Sequence, residues 1–114
     1  MAKPYVPDLG DIVRVHFTPQ VGHEQAGRRP AVVLSPKAYN TKSGLMVCVP
    51  VTNQIKGYPF EVVLSGAGIT GAALADQVKS LDWQSRQAER KGSATKEEIA
   101  RILMMIKALL MRIP

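Results

Sequence analysis

Short apolar runs, separated by turns that contain glycine and proline, fill the first two thirds of the chain. After a turn signal at Gly10, apolar and polar residues alternate over 11–17, and this period of two indicates a half-buried strand. One face of that strand would carry Val13, Val15 and Phe17, and the other Ile12, Arg14 and His16. Further strands are expected at 31–34, 45–51 and 60–64, and within 72–81, centred on Leu74 to Val78. Many short strands joined by such turns predict a mainly β small barrel.

The C-terminal segment has a helical period instead. Thr95 and Glu98 have the spacing of a capping box, in which each side chain bonds the backbone N–H of the other at the start of a helix. One apolar face is expected to pack on the barrel, and it comprises Ile99, Ile102, Leu103, Ile106, Leu109, Leu110 and Ile113. Roughly opposite lie Met104, Ala108 and Met111, either as scattered surface residues or as part of a subunit contact.

The length of the chain indicates how many domains it forms, and its charge indicates what kind of partner it binds. The 114 residues suit a single domain spanning 1–114. A net charge of +6 favours an anionic partner, which can be nucleic acid, an acidic protein or a membrane surface. Residues 1–5 lack the apolar region of a signal peptide, and no apolar stretch reaches the ~20 residues of a membrane span. A cytoplasmic protein without membrane association is therefore expected. The one cysteine, Cys48, lies in an apolar run and is expected to be a buried strand residue rather than a catalytic thiol.

The long polar segment between the first two strands concentrates candidate chemistry. Cleavage of RNA without a metal needs a base for the ribose 2′-OH, a cation for the charge on the phosphoryl oxygens and a donor for the leaving oxygen. Glu24 can act as the base, and Arg29 offers a planar fork of donors where the segment meets a strand. Thr52, at the end of another strand, can contact the same phosphate. Alternatively, the segment is a solvated loop and Thr52 an ordinary turn residue.

Other side chains are candidates for RNA contacts. Phe17 and Trp83 can stack on bases and Lys56 can bind phosphate, although each can equally have a structural role. Gln77 and Lys79 point away from Val78 and can reach RNA. The histidines, His16 and His23, are expected to be solvated or in contact with RNA rather than catalytic.

An ordered set of segments resembles the MazF/PemK family of toxin endoribonucleases. The segments are 6–11, 22–30 with its Glu24-Gln25-x-Gly27-x-Arg29-Pro30 core, 31–36, 49–52, 56–62 and 74–80. The resemblance implies an SH3-like barrel with a C-terminal helix that acts as a homodimer. It implies sequence-specific cleavage of single-stranded mRNA, without metal or cofactor, that leaves 2′,3′-cyclic phosphate and 5′-OH ends and inhibits translation and growth.

The resemblance also implies roles for individual residues. Arg29 and Thr52 match the family's active-site pair, and Glu24 matches the glutamate that supports it. Phe17, Lys56 and Gln77 match positions that line the RNA groove. His16 stands where family members often carry aspartate, which affects base preference, and Arg28 adds charge beside Arg29 that raises affinity without changing specificity. A cognate antitoxin would cover the basic groove with a disordered acidic segment.

Two other functions are compatible with a small basic barrel. One is a non-enzymatic toxin of the CcdB type that poisons a protein target. The other is a non-catalytic RNA-binding barrel. The combination of Glu24, Arg29 and Thr52 argues against both, because neither needs a set of residues that cleaves phosphodiesters.

Overall fold

The computed structural model describes residues 4–17, 28–66 and 68–111. In this part of the chain, seven strands and two helices follow in the order β1 (Asp11–His16), β2 (Arg28–Val33), α1 (Lys37–Ser43), β3 (Leu45–Thr52), β4 (Glu61–Leu64), β5 (Gly71–Leu74), β6 (Lys79–Asp82), β7 (Glu89–Ser93) and α2 (Lys96–Met111). The strands form one antiparallel sheet in the order β4-β5-β3-β2-β1-β7, and β6 also pairs with β3.

The sheet curls into a small barrel around β3. One edge of this strand pairs first with β6, along 45–48, and then with β5, at Val51 and Thr52, while β2 occupies its other edge. The two outer strands, β4 and β7, approach each other. A Cβ placed on Gly66, just after β4, would lie only 3.7 Å from the carbonyl oxygen of Ser93 in β7. A mainly β small barrel with a C-terminal helix is therefore the observed architecture, as the sequence predicts.

Both faces of the central strands are buried, which the alternation in β1 did not predict. A first core cluster lies between the sheet and α2 and includes Ile12, Val32, Val49, Val62 and Ile102. A second lies on the other face, is covered by Tyr5, Phe17, Trp83 and Ala88, and includes Val13, Val15, Val33, Met46 and Cys48. The prediction of a half-buried β1 is thus wrong at Ile12, which is fully buried under α2. Strands covered on both faces become apolar at consecutive positions.

The capping box predicts the start of α2 correctly. Thr95 Oγ1 accepts a hydrogen bond from Glu98 N at 3.1 Å, and Glu98 Oε1 accepts one from Thr95 N at 2.9 Å. The apolar face packs as predicted only through its first half, where Ile99, Ile102 and Ile106 join the first core cluster. Leu103, Leu109 and Leu110 are exposed, and Ile113 lies outside the described residues.

Near the end of the barrel, one predicted strand is wrong and one observed strand was not predicted. The strand expected over Leu74 to Val78 is wrong, because β5 ends at Leu74 and Gln77 N closes a turn by donating to Leu74 O at 3.0 Å. The apolar residues there reflect burial of the turn, since Ala75 is fully buried. β7 was not predicted, because its side chains are polar and mostly exposed and only backbone pairing with β1 makes it a strand.

Candidate active site

Arg29 and Thr52 border the same cleft. The β2–β3 pairs are Ala31 with Pro50, Val32 with Val49 and Val33 with Cys48. When this antiparallel register is continued by two residues, Arg29 stands opposite Thr52. A cleft of about 630 Å³ opens there, and both residues line it. Two residues distant in sequence thus share one site because two neighbouring strands run antiparallel.

The lining of this first cleft is polar and cationic. It consists of Arg14, Arg29, Pro30, Val51, Thr52, Asn53, Gln54, Gly68, Ile69 and Thr70. Two guanidinium groups and no carboxylate border the cleft within the described part of the chain, which favours an anionic occupant. Thr52 Oγ1 accepts a hydrogen bond from Gln54 N at 3.1 Å, so its hydroxyl hydrogen is available to a ligand.

The wall that carries Gly68, Ile69 and Thr70 is held by its neighbours in the fold. Ile69 packs on the first core cluster, and its N–H donates to Gly66 O at 3.1 Å. Ser65, just before this wall, donates from its N and its Oγ to Glu98 Oε2, at 2.8 and 2.9 Å. The first cleft therefore lies between the end of β3 and a segment tied to α2.

A second cleft of about 260 Å³ adjoins the first. It is lined by Thr52, Gln54, Lys56, Tyr58, Glu61, Leu74, Asp76 and Gln77. The two clefts have Thr52 and Gln54 in common, so they lie side by side. The structure thus brings Lys56 and Gln77, both predicted to contact RNA, close to Thr52. The backbone N–H groups of Lys56 and Gly57 donate to the Glu61 carboxylate, at distances of 3.1 to 3.2 Å, which fixes the turn beside the cleft.

Asp76 and Arg14 border these clefts and were missed by sequence reasoning as site residues. Among the described side chains, Asp76 Oδ1 is buried without a hydrogen-bond partner, which is costly unless a ligand supplies a donor. The prediction of a strand through 74–78 hid the turn that points Asp76 into the second cleft. Arg14 had no signal beyond its polar position in β1.

The remaining candidates lie elsewhere. Glu24 and His23 are outside the described residues. Phe17 packs on the second core cluster and lines neither cleft. Arg28 Nη1 donates to Glu89 Oε1 at 3.3 Å and to Gln87 O at 3.2 Å. His16 pairs with Arg28 across the β1–β2 ladder.

The roles of Trp83 and Cys48 are structural. Trp83 packs on the second core cluster, and its Nε1 donates to Asn40 O at 2.9 Å. Cys48 is fully buried, and burial raises the pKa of its thiol to about 12, so it holds no nucleophilic thiolate at neutral pH. The prediction of a buried strand residue at Cys48 is confirmed.

Within residues 4–17, 28–66 and 68–111, no group of three or more His, Cys, Asp or Glu side chains is arranged to hold a metal ion. The helices in these ranges are too short or too polar to span a membrane.

Comparison with known proteins identifies the family. Residues 8–110 match the family described as "PemK-like, MazF-like toxin of type II toxin-antitoxin system". The endoribonuclease toxin MazF of Escherichia coli K12 is 56% identical over 110 residues, which cover 96% of this chain and 99% of that protein. The chain belongs to the PemK-like, MazF-like toxins of type II toxin–antitoxin systems.

Solved structures agree with this assignment. A crystal structure of MazF from Deinococcus radiodurans is 53% identical with a TM-score of 0.85, and covers 94% of this chain and 98% of that one. A MazE–MazF complex from the same organism is 53% identical with a TM-score of 0.89, covering 94% and 97%. The predicted family, the SH3-like fold class and the enzyme class, an endoribonuclease toxin, are confirmed.

Proposed function

We propose that this endoribonuclease cuts single-stranded mRNA at a short sequence in the cleft between Arg29 and Thr52, without a metal ion or cofactor. The observation that carries the proposal is that Arg29 and Thr52, from different strands, border one cleft whose described lining contains no carboxylate. A phosphodiester brings negative charge and acceptor oxygens, which are what a guanidinium and a free hydroxyl hydrogen bind.

The reaction is an internal transfer of the phosphoryl group. A base removes the proton of the ribose 2′-OH, the 2′-oxygen forms a bond to phosphorus, and the bond from phosphorus to the 5′-oxygen breaks. The proton returned to the 5′-oxygen completes the step and gives 2′,3′-cyclic phosphate and 5′-OH ends. Arg29 stabilises the charge that develops on the phosphoryl oxygens, and Thr52 donates a hydrogen bond to one of them. Arg29 is assigned this electrostatic role because a guanidinium loses its proton too reluctantly to be a good acid.

Glu24 is proposed as the base, because the segment 22–30 carries it close in sequence to Arg29. A carboxylate accepts a proton readily and repels the phosphate, so it must approach the 2′-OH from the side away from the phosphoryl oxygens.

The second cleft is proposed to hold a base of the RNA. Its lining combines donors, Lys56 and Gln77, with Asp76, whose Oδ1 lacks a partner among the described residues. A carboxylate oxygen in such a position accepts from the exocyclic amino group of a base, whereas the carboxylate-free first cleft suits phosphate. Arg28 and His16, which are paired across the β1–β2 ladder, would contact the RNA beyond the clefts. Phe17 is partly buried on the second core cluster, and the exposed part of its ring would contact the RNA.

A cleavage assay in EDTA tests the catalytic proposal. Wild type is expected to cut a long RNA at a few sites, and Arg29→Ala and Thr52→Val are expected to lower the rate at least a hundredfold while remaining folded. An RNA with a single 2′-deoxy nucleotide at one mapped site should lose cleavage at that site alone. Cleavage at the deoxy site, or equal rates for wild type and Arg29→Ala, would contradict the mechanism. Binding of RNA without any cleavage would instead favour a non-catalytic barrel.

An acidic, disordered antitoxin segment is the proposed protein partner. Solved MazE–MazF complexes from Deinococcus radiodurans are closely similar in fold to this chain, and the net charge of +6 suits an acidic ligand. Such a segment would compete with RNA for the two clefts. Free of it, the toxin would cleave mRNA in the cytoplasm and stop translation and growth.

The chain is further proposed to act as a homodimer, with residues 1–114 forming one domain in each copy. Exposed apolar side chains along α2 support the dimer, since Met104, Leu110 and Met111 are 61%, 73% and 60% exposed. Exposed apolar side chains grouped on one helix typically mark an interface.

A further inference from the structure

Arg14 is a second guanidinium at the proposed catalytic cleft. In the β1–β2 ladder Arg14 pairs with Pro30, the residue next to Arg29. The two arginines therefore belong to adjacent residue pairs of the ladder. Both line the first cleft, and Arg14 is exposed in the middle of β1.

Among the described residues, no carboxylate in the first cleft balances the charge of Arg14. The carboxylate opposite Arg14 is Glu89, across the β1–β7 ladder. Glu89 Oε1 is already in contact with Arg28 Nη1 and with Lys91 Nζ, at 3.3 Å each. Three cations thus surround one carboxylate, which leaves net positive charge beside the cleft for an anionic ligand.

The two arginines leave the sheet in different directions. Arg29 is paired with Val15, whose side chain belongs to the second core cluster, whereas Arg14 is paired with Pro30. Because consecutive rungs of a ladder project to opposite faces, the two side chains leave the backbone on different sides and reach the first cleft from two directions. They flank the cleft, and a chain that passes between them offers more than one phosphate.

We propose that Arg14 binds a phosphate adjacent to the scissile one, so that it holds the RNA across the cleft while Arg29 acts on the phosphate that reacts. This inference rests on the proposed function and adds a binding residue to it. Arg14 then contributes equally to the ground state and the transition state, and it lowers KM without raising kcat.

The test compares Arg14→Ala with Lys42→Ala, which removes the same charge from the exposed surface of α1 at the far end of β3. Arg14→Ala is expected to raise KM about tenfold and to leave kcat within about twofold of wild type. Binding of a short RNA with a 2′-deoxy nucleotide at the cleaved position is then measured against salt. The slope of log Kd against log salt should shrink by about 0.7, the value for one phosphate contact on a single strand. Lys42→Ala should change neither quantity.

Arg14→Lys is the second variant and should recover most of the salt slope, because a lysine also binds phosphate as a point charge. Unchanged KM and slope in Arg14→Ala would overturn the inference, and so would a fall in kcat at constant KM. Arg29→Ala, measured in parallel, reports on the proposed function itself. If Arg29→Ala still cleaves, the proposed function fails, whereas a silent Arg14→Ala beside an inactive Arg29→Ala removes only the role of Arg14.

Discussion

Gly71 allows β5 to approach β3 more closely than any other residue would. A Cβ at this position would lie 2.5 Å from Thr52 O and 2.9 Å from Val51 Cγ1. Gly71→Ala is therefore expected to push the two strands apart at Thr52, at a cost of about 1–3 kcal/mol in the free energy of unfolding. Thr52 is proposed to bond the reacting phosphate, and a small displacement of such a group slows chemistry steeply, so RNA cleavage should fall roughly a hundredfold. Urea unfolding and a cleavage time course measure the two effects.

Gly66→Ala is the matched control for Gly71→Ala. Its Cβ would meet Ser93 O at 3.7 Å, an ordinary contact, so stability and cleavage should stay close to wild type. If both variants cleave at the same rate, close approach of β5 does not position Thr52.

Gln87 has a backbone conformation that disfavours its own side chain. Its φ is 56°, in the left-handed region, where a residue with a Cβ costs roughly 1–2 kcal/mol. Its N–H and carbonyl hold a turn, through bonds to Gln84 O at 3.1 Å and from Arg28 Nη1 at 3.2 Å, and glycine preserves both. Gln87→Gly should raise the free energy of unfolding by up to about 1 kcal/mol, measured by thermal or urea unfolding. Gln84→Gly, in the same turn without a positive φ, should lower it by about 0.5–1 kcal/mol; equal shifts would contradict the explanation.

Helix α2 is tied to the barrel through Glu98. This side chain caps its own helix and also accepts both hydrogen bonds from Ser65. Burial acts to raise the pKa of Glu98, but the bonds from Thr95 and Ser65 outweigh it and hold the pKa below the usual value. A lowered pKa in the folded state means that Glu98 stabilises the fold above the ordinary glutamate pKa of about 4.3. That contribution is lost as the pH falls through the lower pKa of the folded state.

Glu98→Gln should therefore destabilise the protein at neutral pH by about 1–3 kcal/mol and flatten its loss of stability in acid. Unfolding midpoints measured between pH 3 and pH 7 give both quantities. Glu97→Gln, exposed in the same first turn, should keep the wild-type pH profile. A wild-type profile in Glu98→Gln would show that the carboxylate bonds do not stabilise the folded state.

The local sequence pattern predicts most helices and strands of this fold, but it does not predict the contacts between them. The capping box of α2 follows from Thr95 and Glu98 alone, whereas the bond from Glu98 to Ser65 depends on which strand α2 covers. Likewise, β7 is polar and becomes a strand only through pairing with β1. Such features depend on contacts between distant segments, which no local periodicity contains.

For the site, the sequence and its resemblance predicted that Arg29 and Thr52 act together, but not which other residues join them. The resemblance to the family singled out Arg29 and Thr52, but their common cleft follows from the antiparallel register of β2 and β3. Asp76 and Arg14 were missed for the same reason, because a turn and a ladder neighbour bring them to the clefts.

At the scale of the whole molecule, α2 leaves several of its apolar side chains exposed. Ile99 and Ile102 pack on the barrel, while Leu103 and Leu110 remain exposed. Burying a leucine contributes about 1.5–3 kcal/mol, so a few such residues on two copies supply much of what a dimer needs. Leu110→Glu should therefore convert the proposed dimer into monomers, seen as a halved mass in analytical ultracentrifugation, since a carboxylate buried in an apolar contact is costly.

Tyr39→Glu provides the control, because Tyr39 is also an exposed apolar residue but lies on α1. It should keep the mass of wild type. If the wild-type protein is monomeric at every concentration tested, the proposal of a homodimer is wrong. A dimer unaffected by Leu110→Glu would instead move the interface to another surface, and the apolar face of α2 would then have to serve a different partner.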